Sequence, residues 1–83
     1  MPATSPKSWK NAEVRCLAGF RANERPVSFL VEKHETMVRA VLESWREPNY
    51  LYFKVETADG ELVLLRYHDR EDAWQAREFV RPP

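Results

Sequence analysis

Apolar and polar residues alternate along most of the chain, and a period of two is typical of β-strands with one buried face. The clearest alternation covers residues 50–57, where three apolar residues share one face: Leu51, Phe53 and Val55. Asp59-Gly60 follows, and this dipeptide between two apolar runs predicts a hairpin. Residues 62–67 are apolar on both faces, so we expect this partner strand to be central or covered on both sides.

Two shorter alternations precede the hairpin and predict two further strands, at residues 13–21 and 27–32. Pro26 stands at the start of the second one, a position where a strand tolerates proline. Residues 33–35 then predict a turn, although they lack the Asn-Gly or Asp-Gly pair that is typical of tight hairpins.

Two segments combine helix and strand signals. In residues 36–47 four apolar side chains recur at the spacing of one helix face: Val38, Val41, Leu42 and Trp45. This spacing favours a helix that Thr36 caps. A bulged strand is the alternative, because a bulge shifts the alternation and lets Val38 and Val41 face inward together. Residues 73–80 fit either a strand or a short helix.

Four segments taken together resemble a group of short bacterial proteins that make up a domain of unknown function. The segments are Leu17–Pro26, Val41–Pro48, Tyr52–Val55 and Leu65–His68, and the likeness extends over residues 14–80. The sequence departs from the group at residues 33–34, where a glycine is expected, and in its N-terminal tail. The resemblance implies a location in the bacterial cytoplasm and supplies no activity.

The same resemblance implies the fold, which is a small, highly curved antiparallel sheet or partly open barrel of about five strands. It makes residues 36–45 a bulged strand and residues 73–80 the last strand. We therefore expect a mainly β fold, with a short helix at residues 36–46 as the alternative that the periodicity favours.

The chain has 83 residues, which is enough for one domain. Proline, serine, threonine and lysine dominate residues 1–11, so we expect a flexible tail there and a single small β domain over residues 12–83. Trp9 is the exception in this tail, and we expect it to dock on the domain rather than to meet a partner.

Net charge, cysteine content and hydrophobicity indicate which kinds of partner and which cellular location to expect. The 13 basic residues balance the 13 acidic ones, and zero net charge disfavours nucleic-acid binding, whose affinity rests on excess cations. Cys16 is the sole cysteine, so no intrachain disulfide forms. No stretch approaches the roughly 20 apolar residues of a membrane span, and the N-terminus lacks an apolar signal segment. We therefore expect a cytoplasmic protein that does not contact membranes.

The sequence contains no recognisable catalytic or metal-binding group of residues, which predicts a domain that is not an enzyme and holds no metal or cofactor. Cys16 alternates with apolar residues and is expected in the core, away from the turns that hold His34 and His68. One cysteine and two separated histidines do not make a structural zinc site. Asp69 and Asp72 beside His68 are interpreted as a solvated turn rather than a cation site.

One strand face offers a candidate binding surface. If the apolar face of residues 50–57 points inward, the intervening side chains point outward, and those of the paired strand join them, His68 included. The candidate binding residues are Tyr50, Tyr52, Lys54 and Arg66, with Arg39 or Arg46 nearby.

Two functions fit this surface. The first is binding of a protein partner or a second copy of the chain, through the aromatic face or an exposed edge strand. The alternative is binding of single-stranded nucleic acid, in which bases stack on the tyrosines. Against both stands a purely structural role, in which the tyrosines pack with Trp9, Trp45 or Trp74 and cover a second small core.

Overall fold

Six antiparallel strands form the computed structural model of this chain, which describes residues 9–17 and 25–78. The strands are β1 (Lys10–Cys16), β2 (Pro26–Val31), β3 (His34–Glu47), β4 (Tyr50–Thr57), β5 (Leu62–His68) and β6 (Ala73–Glu78). Each strand pairs with the next, and β6 pairs back with β1, so the sheet closes into a barrel. The mainly β fold is confirmed, with six strands in a closed barrel where about five in a partly open one were expected.

The third strand occupies the segment whose periodicity favours a helix, and the helix at residues 36–46 is wrong. The pairing of β3 with β4 shifts register twice, between Val38 and Ala40 and between Val41 and Glu43. Each shift inserts an extra residue, and because the first one lies between Val38 and Val41, both valines pack against the core although they are three residues apart. One bulge thus reproduces the three-residue spacing of a helix face in an extended chain, whereas Leu42 is exposed and Trp45 lies on the outer face.

The boundaries of the other elements differ slightly from the prediction. The last strand, β6, covers Ala73–Glu78, and the remaining predicted residues 79–80 lie outside the described part of the chain. Lys10 and Asn11 pair with β6, so they belong to the barrel rather than to the predicted tail. The rest of that tail, apart from Trp9, is outside the described residues, as are residues 18–21 of the first predicted strand.

The core lies inside the barrel and draws buried apolar side chains from every strand except β3. Its buried members are Val14, Cys16, Phe29, Phe53, Val55, Val63, Leu65, Trp74 and Ala76. Val55 and Leu65 are fully enclosed, and Leu51 packs against the same cluster, so the predicted inward face of β4 is confirmed. The described side chains of β3 reach the core only through partly buried valines. No helix among the described residues has the length and apolarity that crossing a membrane requires.

Tight turns join β2 to β3 and β4 to β5. Glu32 and Lys33 form a two-residue turn in which both residues have positive φ, 52° and 68°, so His34 already belongs to β3. This is the backbone of a type I′ hairpin turn, built without glycine. The predicted hairpin at Asp59-Gly60 is confirmed, with φ of 87° at Gly60.

Two strands divide their pairing between neighbours on opposite sides. The first half of β1 pairs with β6 and the second half with β2. The first half of β3 pairs with β2, whereas Val38–Glu47 pairs with β4 alone among the described strands. The barrel thus closes because β1 and β3 each pair with two neighbours over different parts of their length.

Candidate binding surface

The outer face of β4 and its two neighbours carries a group of aromatic and basic side chains. Directly paired residues of an antiparallel ladder point to the same face of the sheet. Tyr52 lies between Trp45 on β3 and Arg66 on β5, and Tyr50 lies opposite His68. The alternation of β4, which sends Phe53 and Val55 inward, therefore places these side chains together outside the barrel.

The rings on this face contact one another in a continuous cluster. Trp45 and Tyr52 stack with centroids 5.2 Å apart and planes only 6° from parallel. Tyr50 lies 5.9 Å from Tyr52 in a tilted arrangement, and its ring meets His68 edge to face at 4.8 Å. Such geometries are the ones that aromatic pairs prefer, and each contributes about 0.5–1.5 kcal/mol beyond area burial.

Trp9 completes the cluster from the start of the described chain. Its ring centroid lies 6.3 Å from that of Tyr52. The Arg66 guanidinium carbon lies 4.1 Å from the Trp9 ring centroid and 4.4 Å from that of Tyr50, so the cation is held between two rings. The Arg66 Nε donates a hydrogen bond of 2.8 Å to Gln75 Oε1, which fixes the plane of the guanidinium. Trp9 therefore docks on the barrel, as predicted.

We call this set the aromatic surface, and its side chains are all half-buried. Its members are Trp9, Trp45, Tyr50, Tyr52, Arg66 and His68. Partial exposure means that the rings are packed enough to be ordered and open enough to meet a partner. The tyrosines thus pack with Trp9 and Trp45, whereas Trp74 is a core residue that contacts Phe53 and Tyr67 instead.

The basic residues predicted for the site divide into two groups. Lys54 lies on the outer face beside the cluster, 3.9 Å from the Glu43 carboxylate. Arg46 pairs with the inward-facing Leu51, so its side chain leaves from the opposite face and contacts Asp69 at 2.8 Å.

Arg39 is the second basic residue that lies apart from the aromatic surface. Its guanidinium donates to the carbonyl oxygen of Ala58 beside the β4–β5 turn, at 3.0 Å. The expectation that Arg39 or Arg46 joins the tyrosines is therefore not met.

The aromatic surface has an excess of positive charge. Among the described residues neither Arg66 nor Arg77 forms an ion pair, and the Arg77 guanidinium lies 5.8 Å from the Trp9 ring. On this face the Glu47 carboxylate accepts a hydrogen bond of 3.3 Å from the Trp45 indole, and Glu43 lies 3.9 Å from Lys54. An anionic group on a partner therefore finds two cations available next to exposed rings.

Sequence reasoning did not place Trp9, Trp45 and Gln75 in the site itself. Trp45 joins Tyr52 because the two-residue turn at Pro48-Asn49 sets Glu47 opposite Tyr50, and the pairing continues from there without interruption. This placement requires residues 36–47 to form a strand, whereas their periodicity favours a helix. Gln75 enters through the pairing of β5 with β6, which joins Arg66 to it across the ladder. The sequence signal that could have placed Trp9 in the site is that it is the sole aromatic residue in the polar segment 1–11.

A turn at one end of the barrel holds the remaining titratable cluster. The His68 Nδ1 accepts a hydrogen bond of 3.0 Å from the Glu71 backbone amide, and the Tyr67 hydroxyl donates to the Asp72 carboxylate. That hydrogen bond, together with partial burial and the negative charges of Asp72 and Asp69, raises the pKa of Tyr67 above its ordinary value. These contacts order the turn, and they place no nucleophile beside a base.

Neither a metal centre nor a reactive thiol emerges from the described residues. No group of three or more His, Cys, Asp or Glu side chains among them could hold an ion. Cys16 is 3% exposed in the core, which is typical of an inert thiol.

A cavity of about 370 Å³ opens at the end of the barrel near the β2–β3 turn. Phe29, Val31 and Val63 are among its apolar lining residues, and Thr57, the buried threonine there, already accepts a hydrogen bond from the Glu61 amide. The cavity is also lined by charged side chains of both signs that are exposed to solvent, such as Lys10, Glu32 and Asp59. A small-molecule site instead usually has a mostly apolar lining and a few polar groups that converge on the ligand. The aromatic surface therefore remains the better candidate site.

No protein-family model, curated protein or solved structure matches this chain significantly. Membership of the group of short bacterial proteins therefore stays a prediction, and functional inference rests on the geometry of the surface itself.

Proposed function

We propose that the domain is a non-enzymatic binding module that contacts a partner protein through the aromatic surface. The observation that carries this proposal is the Arg66 guanidinium held between the rings of Trp9 and Tyr50. Tryptophan, tyrosine and arginine are the residues that dominate binding energy at protein interfaces. Because the side chains already pack on one another, a partner does not have to order them, and this lowers the entropic cost of binding.

The charge of the surface points to a partner segment that combines acidic and apolar side chains. Arg66 and Arg77 supply cations without described ion pairs, and the ring edges supply apolar contact area. A carboxylate that reaches Arg66 gains a charge-assisted hydrogen bond next to rings that exclude water. The zero net charge of the whole chain does not oppose such a local interaction.

Binding of single-stranded nucleic acid is the second candidate, and the same two arginines beside Trp9 favour it. Base stacking needs open ring faces. Here Trp45 and Tyr52 stack on each other, and Arg66 covers one face each of Trp9 and Tyr50. Occupied faces together with zero net charge make protein the favoured partner.

Peptide selection tests the first proposal. A random twelve-residue display library is selected on the immobilised protein, and the enriched peptides are synthesised and titrated by calorimetry. We expect sequences that mix acidic and apolar residues. Tyr52→Ala or Arg66→Ala should weaken their binding by at least about tenfold, the range of a hot-spot residue. Arg15→Ala removes an exposed cation on β1 and serves as the matched control.

The nucleic-acid alternative is tested with labelled twelve-nucleotide oligo(dT) and oligo(U). We expect no binding at about 50 mM salt, the range in which phosphate contacts are strong. If oligonucleotide binding falls steeply between low and high salt and is lost in Arg66→Ala, the partner of the aromatic surface is nucleic acid rather than protein. Enriched peptides that bind Tyr52→Ala as tightly as the original protein would reject the aromatic surface as the contact site.

A further inference from the structure

Three basic side chains lie on neighbouring strands beside the rings of the aromatic surface. Lys54 on β4 pairs with Leu64 on β5, and Leu64 pairs with Arg77 on β6, so these three residues form one row across the outer face. Arg66 follows Leu64 by two residues on β5, and its side chain therefore leaves from the same face. The sheet thus places three cations around a single leucine.

The register brings these cations within reach of one small ligand group. Arg66 is the diagonal neighbour of both Lys54 and Arg77, and diagonal neighbours in a ladder lie about 7–8 Å apart, a distance that long side chains span. Lys54 and Arg77 are separated by two strand spacings, about 10 Å. All three side chains are half-buried, so they are held against the sheet and remain accessible to a ligand.

Trp9 holds the two arginines on one ring. The guanidinium carbon of Arg66 lies 4.1 Å from the Trp9 ring centroid, and that of Arg77 lies 5.8 Å from it. The hydrogen bond to Gln75 uses only the Nε of Arg66, which leaves the terminal N–H groups of this guanidinium for a ligand. Neither arginine forms an ion pair with another described residue, so their charges are not neutralised locally.

The acidic side chains that contact this face lie on the side of β3. Glu43 is 3.9 Å from Lys54 and its side chain is 63% exposed, so this ion pair is weak and gives way to a stronger anion. Glu47 accepts the hydrogen bond of the Trp45 indole. Both glutamates are on β3, two strands from Arg66 and three from Arg77, and positive charge is therefore concentrated on the β5–β6 side.

We propose that Lys54, Arg66 and Arg77 bind a phosphorylated side chain of the partner protein. A carboxylate carries one negative charge and is satisfied by a single arginine, whereas a phosphate monoester carries about −1.5 to −2 charges and three acceptor oxygens. Three cations from three strands match the second group and exceed the needs of the first. The inference rests on the proposed function, because it names the chemical group that the partner presents beside the rings.

Three fluorescein-labelled mixtures of short peptides test the inference on the full chain. Each mixture has randomised positions on both sides of one fixed central residue, which is phosphoserine, glutamate or serine. Binding is measured by fluorescence polarisation. We expect the phosphoserine mixture to bind at least about tenfold more tightly than the glutamate mixture, because only the phosphate engages all three cations, and the serine mixture to bind most weakly.

Substitutions of Arg77 separate the phosphate contact from the ring contacts. Arg77→Ala should weaken binding of the phosphoserine mixture by at least about tenfold and that of the glutamate mixture much less, because Arg77 makes the weaker contact with Trp9. Arg77→Lys keeps the charge and should lose less of the preference for phosphoserine. Arg15→Ala removes an exposed cation on β1 and should change neither affinity. Thermal melts by circular dichroism establish that the variants fold.

The possible results separate this inference from the proposed function. Equal affinity for the phosphoserine and glutamate mixtures, with both lost in Tyr52→Ala, would overturn the phosphate site and leave the aromatic surface as a protein-binding site. Failure of all three mixtures to bind would reject both. Inorganic phosphate or oligo(U) that displaces the labelled phosphoserine mixture as effectively as the unlabelled mixture does would also overturn the inference, because the ligand is then free phosphate or nucleic acid.

Discussion

Arg66 shows how a single side chain orders a group of half-buried rings on the outer face of the barrel. Its planar guanidinium stacks between two rings and at the same time donates a hydrogen bond to Gln75. A lysine ammonium has no plane to stack and no fixed fork of donors, so the two side chains are not equivalent here. The docking of Trp9 therefore depends on the shape of the cation as well as on its charge.

Arg66→Lys should loosen Trp9 while the barrel stays folded. We expect the stability of the domain to fall by about 1 kcal/mol, within the range of a partly exposed cation–π contact. The indole N–H of Trp9 should show increased fast motion in ¹⁵N relaxation measurements. Arg77→Lys is the control, because Arg77 lies 5.8 Å from the same ring and makes the weaker contact. An unchanged Trp9 indole in Arg66→Lys would contradict this role.

Tyr67 provides a pH dependence with a definite sign. The hydrogen bond to Asp72, partial burial and the charges of Asp72 and Asp69 raise the pKa of Tyr67 in the folded state above the ordinary value of about 10. A raised pKa means that this interaction stabilises the fold fully below about pH 10, and that the contribution is lost as the pH rises through the folded-state pKa.

The measurement for this pair is a spectrophotometric tyrosine titration combined with urea unfolding at pH 8 and about pH 11, on either side of that value. Asp72→Asn should lower the pKa of Tyr67 toward its ordinary value, and Tyr67→Phe should flatten the stability loss at high pH. A stability profile that does not differ between the original chain and Tyr67→Phe would reject the assignment.

At the scale of elements, the β2–β3 turn contains residue types that do not favour its backbone conformation. The β2–β3 turn needs positive φ at two consecutive residues, and the chain supplies Glu32 and Lys33 where glycine or asparagine is favoured. A left-handed conformation costs an ordinary residue about 1–2 kcal/mol. The exposed ion pair between Lys10 and Glu32, at 3.5 Å, offsets little of that cost.

Replacing the pair with Asn-Gly should therefore stabilise the domain by about 1 kcal/mol, because the conformational term exceeds the lost ion pair. Urea unfolding measures the gain, and Lys33→Ala serves as the control because alanine does not relieve the positive φ. A double replacement that leaves the unfolding midpoint unchanged would show that the turn carries no strain.

Elements specified by local signals could be predicted from the sequence, and those that depend on register could not. Alternation and Asp59-Gly60 are both local, so the β4–β5 hairpin and the outward direction of Tyr50 and Tyr52 follow from the residues alone. The bulges of β3 are fixed only when β4 packs beside it. For that reason the sequence could not exclude a helix at residues 36–46. Once this segment is a strand, the turn at Pro48-Asn49 is enough to set Trp45 opposite Tyr52 and Arg46 opposite Leu51.

At the scale of the whole molecule, one barrel wall carries both the core and the aromatic surface. β4 sends Phe53 and Val55 inward and Tyr50 and Tyr52 outward, and β5 does the same with Leu65 and Arg66. A surface built this way has no stability of its own. It exists only while the two strands hold their register on the core, so binding and folding depend on the same ladder.

Alanine substitutions at Leu65 and Leu64 compare the inner and the outer face of β5 in a single experiment. Leu65→Ala leaves a cavity in a fully enclosed site and should cost about 3 kcal/mol, which lowers the melting temperature of a domain this size by about 12–24 °C. Leu64→Ala removes a half-buried side chain from the outer face and should cost about 1 kcal/mol or less.

Because one ladder holds both faces, the fluorescence of Trp9 and Trp45 should change in the same transition as the far-ultraviolet circular dichroism in both variants. Two separate transitions would mean that the aromatic surface unfolds independently of the barrel, and a partner would then have to order the surface before binding it.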